Sequence, residues 1–150
     1  MNAATTVRTA TPHDLPELAR LFDTYRGFYG QDSNPAAAVE FLTQRLARNE
    51  STIFLASTDD QAVGFIQLYP SFSSVRMQRT FVLNDLFVVS TARRRGVASA
   101  LLRAAQDYAR EQGAIRLTLS TATDNLAGQA LYASRGWLRD EQFFVYHFTL

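Results

Sequence analysis

The 150-residue chain contains no cysteine, which removes disulfides, thiolate metal sites and a thiol nucleophile from consideration. Histidine is scarce as well. His13 stands at a predicted helix start and His147 in a predicted terminal strand, so no spaced set of imidazole ligands exists and no metal is expected. No segment reaches the roughly eighteen apolar residues of a membrane helix, and no basic stretch followed by an apolar one opens the chain. A cytoplasmic protein, neither exported nor membrane-bound, is the expectation. A charge excess is missing too: fifteen basic residues, every one arginine, against fourteen acidic ones leave a net charge of +1. That balance is far from the strongly basic face of a nucleic-acid-binding domain. Internal repeats and low-complexity segments are absent.

What is present is ordinary for a folded protein. A hydrophobic share of 47% with 19% charged residues suits one domain with one core over residues 1–150. Val7 to Thr9 is a short strand candidate. Thr11-Pro12 and Asp14 then place a cap, a first-turn proline and an acidic residue where a helix start wants them. Leu15, Leu18, Ala19, Leu21, Phe22 and Tyr25, continued by Phe28 and Tyr29, fall on one face of that helix. Asn34-Pro35 repeats the device, and Val39, Leu42 and Leu46 give a second amphipathic helix. Thr52–Ser57 and Ala62–Tyr69 read as strands joined by a hairpin turn, Thr58-Asp59-Asp60-Gln61, with Pro70 to Gln78 as a longer polar hairpin loop. Arg79–Val89 is a long strand, followed by helix, strand (Ile115–Thr121) and helix. Gln142–Thr149 is predicted as a closing aromatic strand. Hairpins followed by a strand–helix–strand unit predict an α/β domain with a mixed sheet and helices on both faces.

The junction Arg93-Arg94-Arg95-Gly96-Val97-Ala98-Ser99 joins the long strand to the third helix. First-turn amides lack helical acceptors and sit at the positive end of the helix dipole, so a phosphate is favoured there. Gly96 lets backbone approach the anion, the small residues after it keep the turn narrow, and the arginines add charged donors.

Arg93-x-x-Gly96-x-Ala98, taken with Asn125…Ala130-Leu131-Tyr132-x-x-x-Gly136-Trp137, resembles the GNAT superfamily of acyl-CoA-dependent N-acetyltransferases. The first segment matches its pyrophosphate-binding signature and the second its later Asn…Tyr…Gly-Phe segment. The resemblance covers the chain well from about Ile53 onward. It implies a GNAT fold, acetyl-CoA as cosubstrate, an amine acceptor, and direct transfer in a ternary complex. It also implies that the strand at Leu86, Phe87 and Val88 splays from its parallel neighbour, its backbone binding the pantetheine and the Val88 amide facing the thioester oxygen. Arg93, Arg94, Arg95, Gly96, Val97, Ala98 and Ser99 would hold the diphosphate. Asn125, which reads as a helix cap on its own residues, would add a cofactor contact, and Tyr132 stands in the place of the usual general acid. A core reading also exists for Leu86, Phe87, Val88 and Tyr132 side chains.

Many relatives carry a glutamate where this chain has Ser120, which leaves Asp85 as the candidate to attract a cationic amine or relay its proton. Polyamine-type members carry an acidic residue at this place. Asp85 could instead pair with an arginine such as Arg79 or Arg116. The resemblance puts the acceptor against the first two helices, with Tyr25, Phe28 and Tyr29 as substrate-binding candidates beside Arg26 and Asp32, and Ser73 and Ser74 opposite. A small amine or polyamine is the favoured acceptor; protein N-termini or histone-like tails, an aminoglycoside or an amino acid, or a non-catalytic acyl-CoA-binding regulatory domain, are the alternatives. Aromatic residues at both parities of the last predicted strand, Phe143 to Phe148, leave two faces to cover, so a homodimer through these strands is expected unless the first helices cover the second face.

Overall fold

The computed structural model describes residues 4–150. Two compact units divide the chain, Met1–Leu119 and Ser120–Leu150. The first unit holds a five-stranded sheet in the order β1-β2-β3-β4-β5, formed by Thr5–Thr9, Thr52–Thr58, Gln61–Ser73, Gln78–Val88 and Leu117–Leu119. β1 to β4 run antiparallel and β5 lies parallel to β4, the mixed sheet expected from the order of elements. Helices α1 (Leu15–Phe28) and α2 (Pro35–Ala47) precede β2, and α3 (Val97–Glu111) crosses from β4 to β5.

Both sheet faces are covered. Leu18, Leu21 and Phe22 of α1 and Leu42 of α2 share one core with Ile53, Leu55, Phe65 and Phe87. On the other face, Tyr108 of α3 packs its ring on Phe54 and Phe81, and its hydroxyl accepts from the Thr52 hydroxyl at 3.0 Å. Cover on both sides explains why Ile53, Phe54, Leu55 and Ala56 are all buried instead of alternating.

The local signals act as their chemistry dictates. The Asn34 side chain accepts from the Ala37 amide and Pro35 opens α2. The Asp14 carboxylate accepts from the Thr11 amide and from Arg8, and the Arg8 guanidinium holds it well below the usual carboxylate range. Asp59 and Asp60, at φ 52° and 61°, form the two-residue turn between β2 and β3, a left-handed pair that aspartate tolerates and that matches the strand twist.

Three expectations are corrected. Pro70 to Gln78 is not a long loop: β3 continues to Ser73 and β4 begins at Gln78, leaving Ser74–Met77 as the turn, because ladder bonds outweigh the polar composition. Val39 faces outward, 41% exposed, while Ala38 is buried under α1, since a small residue allows the two helices to approach. Finally, Gln142–Thr149 forms no strand. Aromatic residues at both parities give that segment no inside–outside alternation to select a register, and without a ladder partner β-propensity alone does not make a strand.

Gly64 is the glycine that packing demands. A Cβ there would lie 2.7 Å from the Phe87 carbonyl oxygen and 3.3 Å from Val88. Gly27, near the end of α1, has open space around its missing Cβ. Gly64→Ala is expected to destabilise by roughly 1–3 kcal/mol, whereas Gly27→Ala stabilises by about 0.5–1 kcal/mol. Urea unfolding of the two variants checks this, and a Gly64→Ala variant as stable as wild type would contradict the close approach.

Candidate functional site

β4 changes face part-way along. Gln67 of β3 pairs with Asp85 while the next residue, Leu68, pairs with Leu83, so Asn84 is an extra residue in the ladder. A bulge of this kind shifts the alternation by one. Phe81 therefore lies on the α3 side with Tyr108, while Phe87 lies on the α1 side with Phe65 and Tyr25. Asp85, opposite Gln67 and two residues before Phe87, faces the same way.

There Asp85 is 5% exposed. Gln67, fully buried, donates from Nε2 to Asp85 Oδ2 at 2.6 Å, and the Asn84 amide donates to Oδ1 at 3.1 Å. The arginine pairing considered from the sequence gives way to these amides: Arg79 stacks its guanidinium over Phe72 and Phe81 instead. The Tyr25 hydroxyl is pushed up by burial, then by the charge of Asp85 and a hydrogen bond to it. Tyr69 is pushed up to about 12, by burial first and then by Asp85, with Arg45 acting in the opposite direction. Both phenols therefore stay protonated, as hydrogen-bond donors beside a carboxylate.

A cavity of about 460 Å³ opens over this carboxylate. Phe22, Tyr25 and Arg26 of α1 form one wall, Phe41 of α2 a second, and Tyr69 with Asn84 the sheet side; Ala37 and Ala38 of α2 keep it open because they are small. Phe22 and Phe41 stack at 5.7 Å. The cavity thus joins Tyr25, Arg26 and Asp85 of the residues singled out in the sequence. Phe28 and Tyr29 are more than half exposed and sit beside it, Phe28 against Phe87 and Tyr29 edge-on to Tyr25. Asp32 supplies only a carbonyl, to Arg26 Nη1 at 3.2 Å. The Ser73 hydroxyl accepts from the Arg76 amide at the β3–β4 turn, where Ser74 also lies. Tyr69, Phe41 and Gln67 were missed; the bulge that aims the sheet residues at this face leaves no mark in the hydropathy pattern.

The end of β4 carries the second feature. β5 pairs with Phe81–Leu83 alone, so among the described residues Asn84–Val88 have no strand partner on that edge. Val89 donates to Val63 of β3 at 2.9 Å, and alternation turns the Val88 N–H toward the open edge. The Val88 carbonyl, on the same edge, accepts from Arg93 Nε at 3.1 Å, and the Arg93 guanidinium covers the Phe28 ring at 5.3 Å. Arg93 thus ties the strand end to the helix junction. Leu86 is half-buried, and Phe87 and Val88 are core side chains, so the open edge offers their backbone.

Arg94 and Gly96 are left-handed, at φ 63° and 78°. No atom lies within 4 Å of a Cβ built on Gly96, so glycine is required there by backbone conformation. The first bond of α3 is Ala100 N to Gly96 O at 3.0 Å, so the amides of Val97 and Ala98 precede the helical ladder. Arg94 and Arg95 are exposed, and Ser99 is half-buried in the first turn. These amides, the dipole and the two guanidinium groups fit a diphosphate.

In the second unit, α4 spans Leu126–Ser134. The Asn125 side-chain oxygen accepts from the Gly128 amide and its nitrogen donates to the Thr121 hydroxyl, both at 3.0 Å. A Cβ on Gly128 would strike the Asn125 amide, so these two residues fit as a pair. Asn125 is therefore the helix cap its own chemistry suggested. Tyr132 is half-buried, with the Trp137 ring centred 6.0 Å away and the Trp137 backbone amide donating to the Tyr132 carbonyl. Ser120 is exposed. Among the described residues no group of three or more His, Asp or Glu could hold a metal ion, and no helix is long and apolar enough to cross a membrane.

Comparison with known proteins agrees with this arrangement. Residues 16–137 match the model of the Acetyltransferase (GNAT) family. The chain is 45% identical to the uncharacterized N-acetyltransferase YhfO of Bacillus subtilis (strain 168) over 93% of its own length and 94% of that protein's. It is 44% identical to a probable acetyltransferase of known crystal structure, with a TM-score of 0.92 and 97% of each chain covered. The fold is also that of aminoglycoside N-acetyltransferase AAC(6')-Iy solved with CoA, at 20% identity, a TM-score of 0.83, and 100% and 98% of the two chains covered. A mixed sheet opened at the end of β4, a helix start after it whose free amides and arginines suit an anion, and these relatives lead to one conclusion: the chain belongs to the GNAT family of acetyl-CoA-dependent N-acetyltransferases.

Proposed function

We propose that the acceptor is a small primary amine that enters the cavity over Asp85, and that Asp85 draws in its ammonium form and takes its proton. The observation that carries this reading is a buried carboxylate, held by Gln67 and Asn84, at the base of an aromatic-walled cavity. Aromatic faces beside a carboxylate favour an organic cation over water. A volume of about 460 Å³ is within the range of small-molecule sites, which favours a small acceptor over a peptide tail.

Acetyl-CoA supplies the activated acetyl thioester. Val97 and Ala98 amides with Arg94 and Arg95 would bind its diphosphate, and the open edge at Leu86–Val88 its pantetheine. The Val88 N–H would donate to the oxygen that gains charge as the amine attacks. Carbon–nitrogen bond formation and carbon–sulfur cleavage leave one proton to remove from the amine and one to give to the departing thiolate. Asp85 serves the first, through water, since three residue steps along the strand carry it about 10 Å from Val88. Tyr132 serves the second. Asn125 would add a cofactor contact. The same reading has the enzyme working in the cytoplasm.

A second copy of the chain is the partner we propose. Phe143, Phe144, Tyr146 and Phe148 are each at least 76% exposed, and a run of uncovered aromatic side chains is the kind of surface a partner covers.

Three outcomes are expected. Gly96→Glu abolishes coenzyme A binding measured by calorimetry, while Gly96→Asn, which tolerates the left-handed backbone, retains it; wild-type affinity in the glutamate variant contradicts the diphosphate assignment. Tyr132→Phe lowers kcat by roughly ten- to a thousandfold with little change in acetyl-CoA affinity, and Asp85→Asn lowers kcat/KM by a similar factor near neutrality. The Asp85→Asn deficit shrinks as pH rises toward the amine's own pKa near 10, because the acceptor then arrives neutral. Unchanged pH–rate profiles in both variants remove these roles. Sedimentation at micromolar concentration shows a dimer, and a fully active monomer excludes it.

A further inference from the structure

The cavity is charged at two places, and the second charge restricts what the acceptor can carry. Asp85 lies at its sheet side, while Arg26 lines it from α1. Arg26 is only partly neutralised. Its Nη1 bonds the Asp32 carbonyl at 3.2 Å, and its nearest carboxylate, Asp23, is 4.0 Å away. The two oxygens of Asp23 already accept from the Ser33 hydroxyl at 2.6 Å and the Asn34 amide at 2.7 Å, which bind that carboxylate to the α1–α2 connection. The Arg26 side chain is 31% exposed, so it sits where a ligand in the cavity emerges, whereas Asp85 is at the buried end. A second arginine nearby, Arg45, covers the Phe41 ring at 4.6 Å but is paired with Glu50 at 3.5 Å, so Arg26 is the cation that lines the cavity.

A linear diamine placing one ammonium at Asp85 would carry its second ammonium toward the Arg26 guanidinium. An acceptor whose other end is a carboxylate would instead meet a forked donor suited to it. Resting on the reading that the acceptor amine binds at Asp85, we propose that the acceptor is zwitterionic, an amino-acid-type molecule whose ammonium is received by Asp85 and whose carboxylate is received by Arg26. The polyamine class is disfavoured by the same charge.

Four probes of equal chain length separate the possibilities: γ-aminobutyrate, 4-aminobutanamide, butylamine and putrescine, which end in an anion, a neutral amide, a methyl group and a second cation. Each is titrated calorimetrically into the coenzyme A complex and assayed for thiol release from acetyl-CoA. We expect γ-aminobutyrate to exceed putrescine at least about tenfold in both measurements, as one charge-assisted contact predicts, with the other two between. Arg26→Gln should level the series without changing coenzyme A affinity, and Arg26→Lys should keep part of the preference. A wild-type enzyme that prefers putrescine, or a series unchanged by Arg26→Gln, overturns the zwitterion. Asp85→Asn separates this from the underlying reading: if it depresses all four probes equally while the wild-type series is flat, only the zwitterion fails. If it leaves all four unchanged, or if no probe binds or reacts, the acceptor site itself is wrong and the zwitterion with it.

Discussion

One extra residue in β4 sets the chemistry of the first unit. Asn84 has no counterpart in β3, and without it Phe81, Leu83, Asp85 and Phe87 would all share a face. With it, Phe81 and Leu83 pack toward α3 while Asp85 and Phe87 turn toward α1. The bulge also brings the Asn84 amide to the carboxylate it exposes. A single shift of parity therefore serves two cores and delivers a carboxylate to the sheet side of the aromatic-walled cavity.

Burying that charge is costly unless donors meet it. Gln67 meets it from the neighbouring strand, fully buried, and the phenols of Tyr25 and Tyr69 stand beside it with their ionisation suppressed. Gln67 Oε1 has no hydrogen-bond partner among the described residues, so the support is built on the donor side alone. Donors around an acceptor-only group hold its geometry while leaving lone pairs for a ligand.

The end of β4 follows a different logic, that of backbone. β5 stops after three paired residues, and the strand it leaves unpartnered keeps donors and acceptors available. Arg93 occupies one of them, the Val88 carbonyl, and in doing so fixes the turn that leads into α3. Two left-handed residues, Arg94 and Gly96, then complete the change of direction. The free amides at this helix start are thus a consequence of how the chain enters the helix, and the proposed diphosphate site rests on that backbone arrangement with the arginines adding charge.

The sequence by itself determined the helices and their caps, the Asp59-Asp60 turn, the glycine-bearing junction before α3 and the Asn125 cap, because each depends on residues within a few positions of one another. It also determined the family, through motifs whose spacing survives without coordinates. Asp85 was legible as a carboxylate out of place in an apolar strand, but its partners were not: Gln67 lies eighteen residues away, and Arg79, which looked available, stacks on Phe72 and Phe81. Tyr69 and Phe41 belong to the cavity only because a bulge and two small residues of α2 let three elements converge. Likewise the aromatic run near the C-terminus reads as a strand by composition and forms none. Register, face and partner are properties of pairing between distant segments, and tertiary structure alone decided them.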